Sequence, residues 1–343
     1  VNFDFSDDQY QLRDGARDFF AGESSASHVR AMWESETGRS PQLWRTMAET
    51  GFVGMTVPEE HGGLGMDEVD LVLILAEAGR AALPEPLLET TAIGVPLLVE
   101  AGTAAQQAEW LPKVAAGDAV VTVRLNAPGR AGDAPLVADA HIADLLLLQR
   151  GDELHAVPAD RFDATPQPSM DGARRMFRVE AETSADTRMD GGEIEAVRAW
   201  DRGAAGTAAI LGGIGEHLLD ASVRYASERE QFGRPIGSFQ AVKHLLAETV
   251  LVVESSKAAA WYAAYAIASD LDDRSDAASV AKAYASEAAK KANTEALQVH
   301  GGIGFTWEHD LHLWLKRGKA LESAYGTARE HRARLAERLF ATT

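Results

Sequence analysis

The chain has 343 residues, room for two or three domains at about 100–200 residues each. Its 46% hydrophobic and 25% charged residues are the balance of a folded globular protein. Against 33 Lys and Arg stand 52 acidic residues, for a formal net charge of −19, which opposes binding to nucleic acid and to anionic membranes and leaves any anionic ligand to individual arginines. Cysteine is absent, excluding disulfides, a thiolate nucleophile and Cys-based zinc sites. The start, VNFDFSDDQY, is acidic where a signal peptide is basic and then apolar. No run approaches the ~18 apolar residues of a membrane span, and the expectation is a cytoplasmic protein.

The first third reads as helices. Apolar residues recur at helical spacing from Ser6 to Phe20 behind an Asp-rich start, and again from Gln42 to Thr50. A Pro- and Gly-punctuated loop, Val57 to Gly65, precedes an apolar helix from Val69 to Ala78, and a further helix spans Ala104 to Ala115 and stops at Gly117. Then AVVTVRL, ADLLLLQ, ELHAVPA and RMFRVEA, separated by Gly, Pro and Asp, give the strand signal. An acidic linker, Met189 to Glu195, leads into long Ala-rich segments: Gly203 to Ser227, Ala241 to Ser269 and Ala277 to Val299, with a last helix from Ala328 to Phe340. The predicted fold is mainly α with a small β domain: a helical domain over 1–117, a β domain over 118–188 and a helical bundle over 189–343.

Two stretches carry the chemistry. In YASEREQFGRPIGSFQAVKHLLAE, Arg229 follows a long helix and stands close to Phe232, Gly233 and Pro235. A guanidinium grips a pyrophosphate through several donors while an aromatic ring covers an adenine face; equally, a surface arginine pairs with a carboxylate and a phenylalanine fills core. In QVHGGIGFTWEHDLHLWLKRGKALESAYGTAREHR, Gln298 offers a donor and an acceptor, and Gly301 and Gly302 admit a ligand close to backbone or cap a helix. His300, His309 and His312 match no zinc-binding spacing.

Together with VPEEHGGLG (Val57 to Gly65) and the domain order, these stretches resemble the signature segments of acyl-CoA dehydrogenases. The resemblance implies the fold of that family, with a helical amino-terminal domain, a middle β-barrel-like domain and a carboxy-terminal four-helix bundle. It assigns Arg229, Gln231, Phe232, Gln298, His300, Gly301 and Gly302 to the FAD of an adjacent subunit.

The chain also departs from the family. Removing an α hydrogen beside a thioester carbonyl needs a carboxylate aimed at that carbon. One family arrangement places a Glu before the Gly-Thr that is Gly326 and Thr327 here, where this chain has Tyr325. The other places a Glu near the start of the first bundle helix, and the matching stretch reads Asp201, Arg202, Gly203, Ala204. A phenol with a pKa of about 10 is a poor base. Glu322 and Asp201 lie near in sequence. The β domain has Asn126, Ala127 and Pro128 in place of a Thr-Glu-Pro turn and reads as shortened.

Groups that serve a neighbour's flavin are kept and groups that serve the chain's own are lost. The expectation is a degenerate subunit of a heterotetrameric (α2β2) acyl-CoA dehydrogenase, in the branch associated with bacterial steroid breakdown, with no catalytic residue of its own and FAD bound at an interface with a second subunit. The alternatives are a self-sufficient homotetrameric flavoenzyme using Glu322 or Asp201, and a noncatalytic interaction protein of the same fold.

Overall fold

The computed structural model describes residues 4–129 and 135–341. In the amino-terminal part, α1 (Asp7–Glu23) opens on Ser6, whose hydroxyl accepts from Gln9 N while the Gln9 side chain accepts from Ser6 N. Next come α2 (Ala26–Glu34), α3 (Pro41–Glu49) and α4 (Glu68–Arg80). A π-helical turn over Leu88–Gly94 runs directly into α5 (Val95–Ala101), and α6 (Ala104–Ala115) follows behind a Thr103–Gln106 capping box. Helix α2 was not foreseen from the sequence.

The β region holds two small sheets. One has the order β1 (Val121–Arg124), β3 (Leu145–Arg150), β4 (Glu153–Pro158), with β1 parallel to β3. The other has the order β2 (Val137–Ala138), β6 (Met176–Ala181), β5 (Phe162–Gln167) and is antiparallel. Strand β3 explains its unbroken leucines: Leu145 and Leu147 join the main core, while Leu146 and Leu148 join a second cluster with Val157, Phe177 and Val179. A strand covered on both faces loses the alternation of a half-exposed one. Strands β2 and β5 were not foreseen; β5 carries Pro166 and is largely exposed.

The carboxy-terminal part begins with α7 (Glu193–Glu228), 36 residues long. It starts ten residues before the expected Gly203, because Ala196, Ala199 and Trp200 are buried on one face and Glu195 reaches back to accept from Gly192 N at 2.8 Å. It is followed by a two-residue hairpin, β7 (Glu230–Gln231) and β8 (Arg234–Pro235), then α8 (Gln240–Ala268), α9 (Arg274–His300), α10 (Leu311–Leu321) and α11 (Ala328–Ala341). Buried alanines line α7, α8 and α9 where they pack together. Helices α4 and α7 cross backbone to backbone: a Cβ on Gly213 would stand 1.8 Å from Ala76 O, and one on Gly79 2.1 Å from Ile210 O. Among the described residues no helix is long and apolar enough to cross a membrane.

Candidate functional site

The motif residues gather at one end of the bundle. Arg229 caps α7, its N–H donating to Tyr225 O at 2.8 Å, and Tyr225 stacks on His300 at the end of α9 with ring centroids 4.5 Å apart. This stack brings the two sequence motifs, some seventy positions apart, onto one surface. Arg229 is exposed and has no ion-pair partner among the described residues. Phe232 is 93% exposed at the tip of the β7–β8 hairpin with φ of +55°, a left-handed conformation that a bulky residue adopts at a cost. Arg234 lies over Phe239, 4.2 Å from its ring centroid, and stiffens the hairpin base.

Gln298 is exposed, and its side chain has no hydrogen-bond partner among the described residues. Gly301, at φ +63° and ψ −142°, holds a backbone shape that a Cβ strongly disfavours, and no atom comes within 4 Å of a Cβ built on Gly301 or Gly302. Gln231 is exposed as well. His300 differs from the rest. It is 4% exposed, its Nδ1 lies 2.8 Å from Ala296 O, and burial lowers its pKa, so its ring supports the loop from beneath. His309 Nδ1 accepts from Leu311 N at 3.2 Å and His312 Nδ1 lies 2.8 Å from His309 O; both cap the start of α10.

The second region is a chamber of about 500 Å³ between β1, the end of α10 and the start of α7. Its walls include Leu125, Met170, Met176, Trp200 and Tyr325. Here the two positions at which the resemblance places a base meet: a Cβ on Gly203 would come within 2.4 Å of the Tyr325 ring. The phenol fills the space that a side chain at 203 needs, so one bulky group excludes the other. Tyr325 sits at φ +50° and Gly326 at φ +94°.

That turn is tied from below. The Lys282 ammonium donates to Gly326 O at 2.8 Å, Glu322 O at 3.1 Å and Ser286 Oγ at 3.1 Å, while His331 Nε2 lies 2.8 Å from Tyr325 O. Burial pushes Lys282 down to about 7 and His331 down to about 4. Burial, with the Glu89 carboxylate second, drives the Tyr325 phenol well above its usual range, so it keeps its proton.

Neither alternative carboxylate is free. Asp201 is 1% exposed, 2.6 Å from both Arg334 Nη1 and Ser275 Oγ. Glu322 pairs with Lys319 at 2.7 Å, and neither acid lines the chamber. Glu330 does line it, unnoticed in the sequence reading; its carboxylate accepts from Thr327 N at 2.8 Å, and the Thr-x-x-Glu spacing of a capping box was the signal for it.

Comparison with known proteins accords with this arrangement. Residues 6–118 match the acyl-CoA dehydrogenase N-terminal domain and residues 192–340 the acyl-CoA dehydrogenase C-terminal domain. The chain is 36% identical to acyl-CoA dehydrogenase IpdE2 of Mycolicibacterium smegmatis, over 98% of this chain and 100% of that one. Among solved structures, the ChsE4-ChsE5 complex from Mycobacterium tuberculosis superposes with a TM-score of 0.91 at 25% identity, covering 99% of each chain. The Tcur3481-Tcur3483 steroid ACAD G363A variant superposes with a TM-score of 0.89 at 27% identity, covering 98% of each. On these grounds the chain belongs to the acyl-CoA dehydrogenase family.

Proposed function

We propose that this chain is the noncatalytic subunit of an FAD-dependent acyl-CoA dehydrogenase, assembled as α2β2 with a second subunit of the same fold. The observation that carries the reading is the contrast, among the described residues, between an Arg229 with no ion-pair partner on an exposed edge and a chamber whose one lining acid, Glu330, caps a helix. A guanidinium left without a partner beside an open glycine backbone fits a dinucleotide presented by another chain. Arg229 would hold the pyrophosphate, Phe232 would cover the adenine, and Gln298 with the Gly301 and Gly302 backbone would line the adenosine half. FAD, when bound, accepts the hydride from the substrate's β carbon. The α proton needs a base, and with Tyr325 holding its own proton that base comes from the partner subunit. Relatives named as a two-component complex and as a steroid ACAD favour a heteromeric assembly and a steroid-derived acyl thioester.

Expression alone and together with a candidate partner tests this. The isolated chain is expected colourless and inactive, and the co-purified complex yellow and active, with two flavins per tetramer. Stoichiometric flavin and turnover in the isolated chain would refute the assignment.

A further inference from the structure

The segment between β5 and β6, residues 168–175, runs between the chamber and the helices. Its Arg174 lines the chamber on one side and, on the other, a void of about 40 Å³ walled by Leu75, Leu88 and Ile210 and by the charged Glu85, Asp139 and Arg317. Arg174 Nη1 donates to Glu89 Oε1 at 2.6 Å, and both side chains are almost wholly buried. The guanidinium therefore stands as a wall between an outer chamber of ligand size and an inner void of mixed apolar and charged lining with room for about one water.

The segment is anchored on several sides. Asp171 pairs with Arg317, which also donates to Leu83 O at 2.6 Å. Arg175 Nη1 and Nη2 donate to the Glu36 and Ser35 carbonyls, and Arg175 N donates to Asp139 Oδ1 at 3.1 Å. Within the segment, Ser169 Oγ donates to Arg174 O at 2.7 Å and Ala173 N to Asp171 Oδ1 at 3.0 Å. Gly172 packs flat on Trp33, where a Cβ would come within 2.8 Å. Withdrawing Arg174 would leave Glu89 charged, buried and alone. The Tyr325 ring, carried on a backbone turn whose carbonyls are tied by Lys282 and His331, lines the same chamber beside it.

We infer that residues 168–175 form a fixed plug: Arg174, locked to Glu89 beneath Tyr325, divides the chain's own chamber from the small void behind it and closes the floor of the chamber to an acyl thioester. It follows that a carboxylate restored at position 325 would not create a working site. The inference holds whichever chain seats the flavin, because it concerns acyl binding alone.

The test is calorimetric titration of the purified full-length chain with butyryl-CoA. Wild type and Arg174→Met/Glu89→Met, which keeps the plug's volume, are expected to show no saturable binding. Tyr325→Gly/Arg174→Ala/Glu89→Ala is expected to bind at least about tenfold more tightly than wild type; glycine suits the positive φ at 325. Saturable micromolar binding by wild type, or a folded triple variant no better than wild type, overturns the inference. Should the triple variant not fold, amide exchange decides. Protection of residues 168–175 in wild type at least about 100-fold above the same unstructured peptide supports a fixed plug, and peptide-like exchange overturns it. Flavin content is not read in any arm, so this result and the subunit assignment stand or fall separately.

Discussion

The hairpin end of the bundle and the floor of the chamber treat polar groups in opposite ways. At the hairpin end, Arg229 and Gln298 are exposed with no side-chain partner among the described residues, Gln231 donates to the adjacent Glu230 O at 2.8 Å, and Phe232 is held exposed in a left-handed backbone conformation. At the floor, Lys282 has three acceptors, Arg174 has Glu89, Asp201 has Arg334 and Ser275, and even the Tyr325 carbonyl is engaged. Buried polar groups need partners within their own chain. Groups left open at a surface, clustered and beside an unencumbered glycine backbone, are those free to meet something else. On the proposed reading, the first is a surface for recognition and the second a floor given over to structure.

The comparison can be broken first at the floor. Glu89→Ala alone leaves Arg174 buried and unpaired and should cost about 3–5 kcal/mol, read from the urea midpoint; Arg174→Met/Glu89→Met should be neutral or stabilising. If Glu89→Ala proved as mild as the double change, the floor would not be the dry ionic structure described. Next comes the hairpin. Arg229→Ala should leave the melting temperature of the isolated chain unchanged while weakening FAD retention in the assembled complex by about 2–3 kcal/mol, roughly 30- to 150-fold in Kd. A complex that kept full flavin would assign Arg229 to an ordinary solvated face.

Acidity sharpens the contrast further. Burial lifts Glu85 from 4.5 to about 8 and Asp139 from 3.8 to about 7. Across these windows the folded chain holds protons that the unfolded chain has released, so each group makes stability fall as pH rises toward its folded value. Lys282, lowered from 10.5 to about 7, acts with the opposite sign and makes stability rise between about pH 7 and 10.5. In denaturation curves taken at a series of pH values, Glu85→Gln should therefore flatten the decline below pH 8, and Lys282→Met should remove the rise above pH 7. The smallest effect is expected from Glu322→Gln, which should change the activity of the complex by less than about threefold, since this carboxylate sits outside the chamber and already faces Lys319. A large loss there would return Glu322 to the list of candidate bases.

Much of the fold was legible because its signals are local. Helix α6 spans Ala104–Ala115, the residues read from the sequence ahead of the Gly117 stop, and β3 announces itself as a run of four leucines. The start of α7 was missed because its first turns look polar until Trp200 and Ala199 are seen to share a buried face. At the site, the exposed motif residues could be named from sequence, since they cluster in two short stretches. The plug could not. Asp171, Arg174 and Arg175 find their partners at Arg317, Glu89 and the Ser35 to Glu36 backbone, between 85 and 146 positions away, and nothing in the local pattern of PSMDGARRM foretells it. The exclusion between Gly203 and Tyr325 was likewise invisible, because each position in isolation shows a missing acid and not that the two share one volume.

The length of α7 carries one more consequence. Gly203 packs against the Tyr325 ring that lines the chamber, and Arg229 caps the far end of the same unbroken helix; at 1.5 Å per residue the two are about 39 Å apart along the axis. That separation exceeds the reach of an extended dinucleotide. On the proposed reading, a molecule whose phosphates rested on Arg229 would present its ring system to some other polypeptide, with the helix as a ruler for how far this chain would extend into that neighbour.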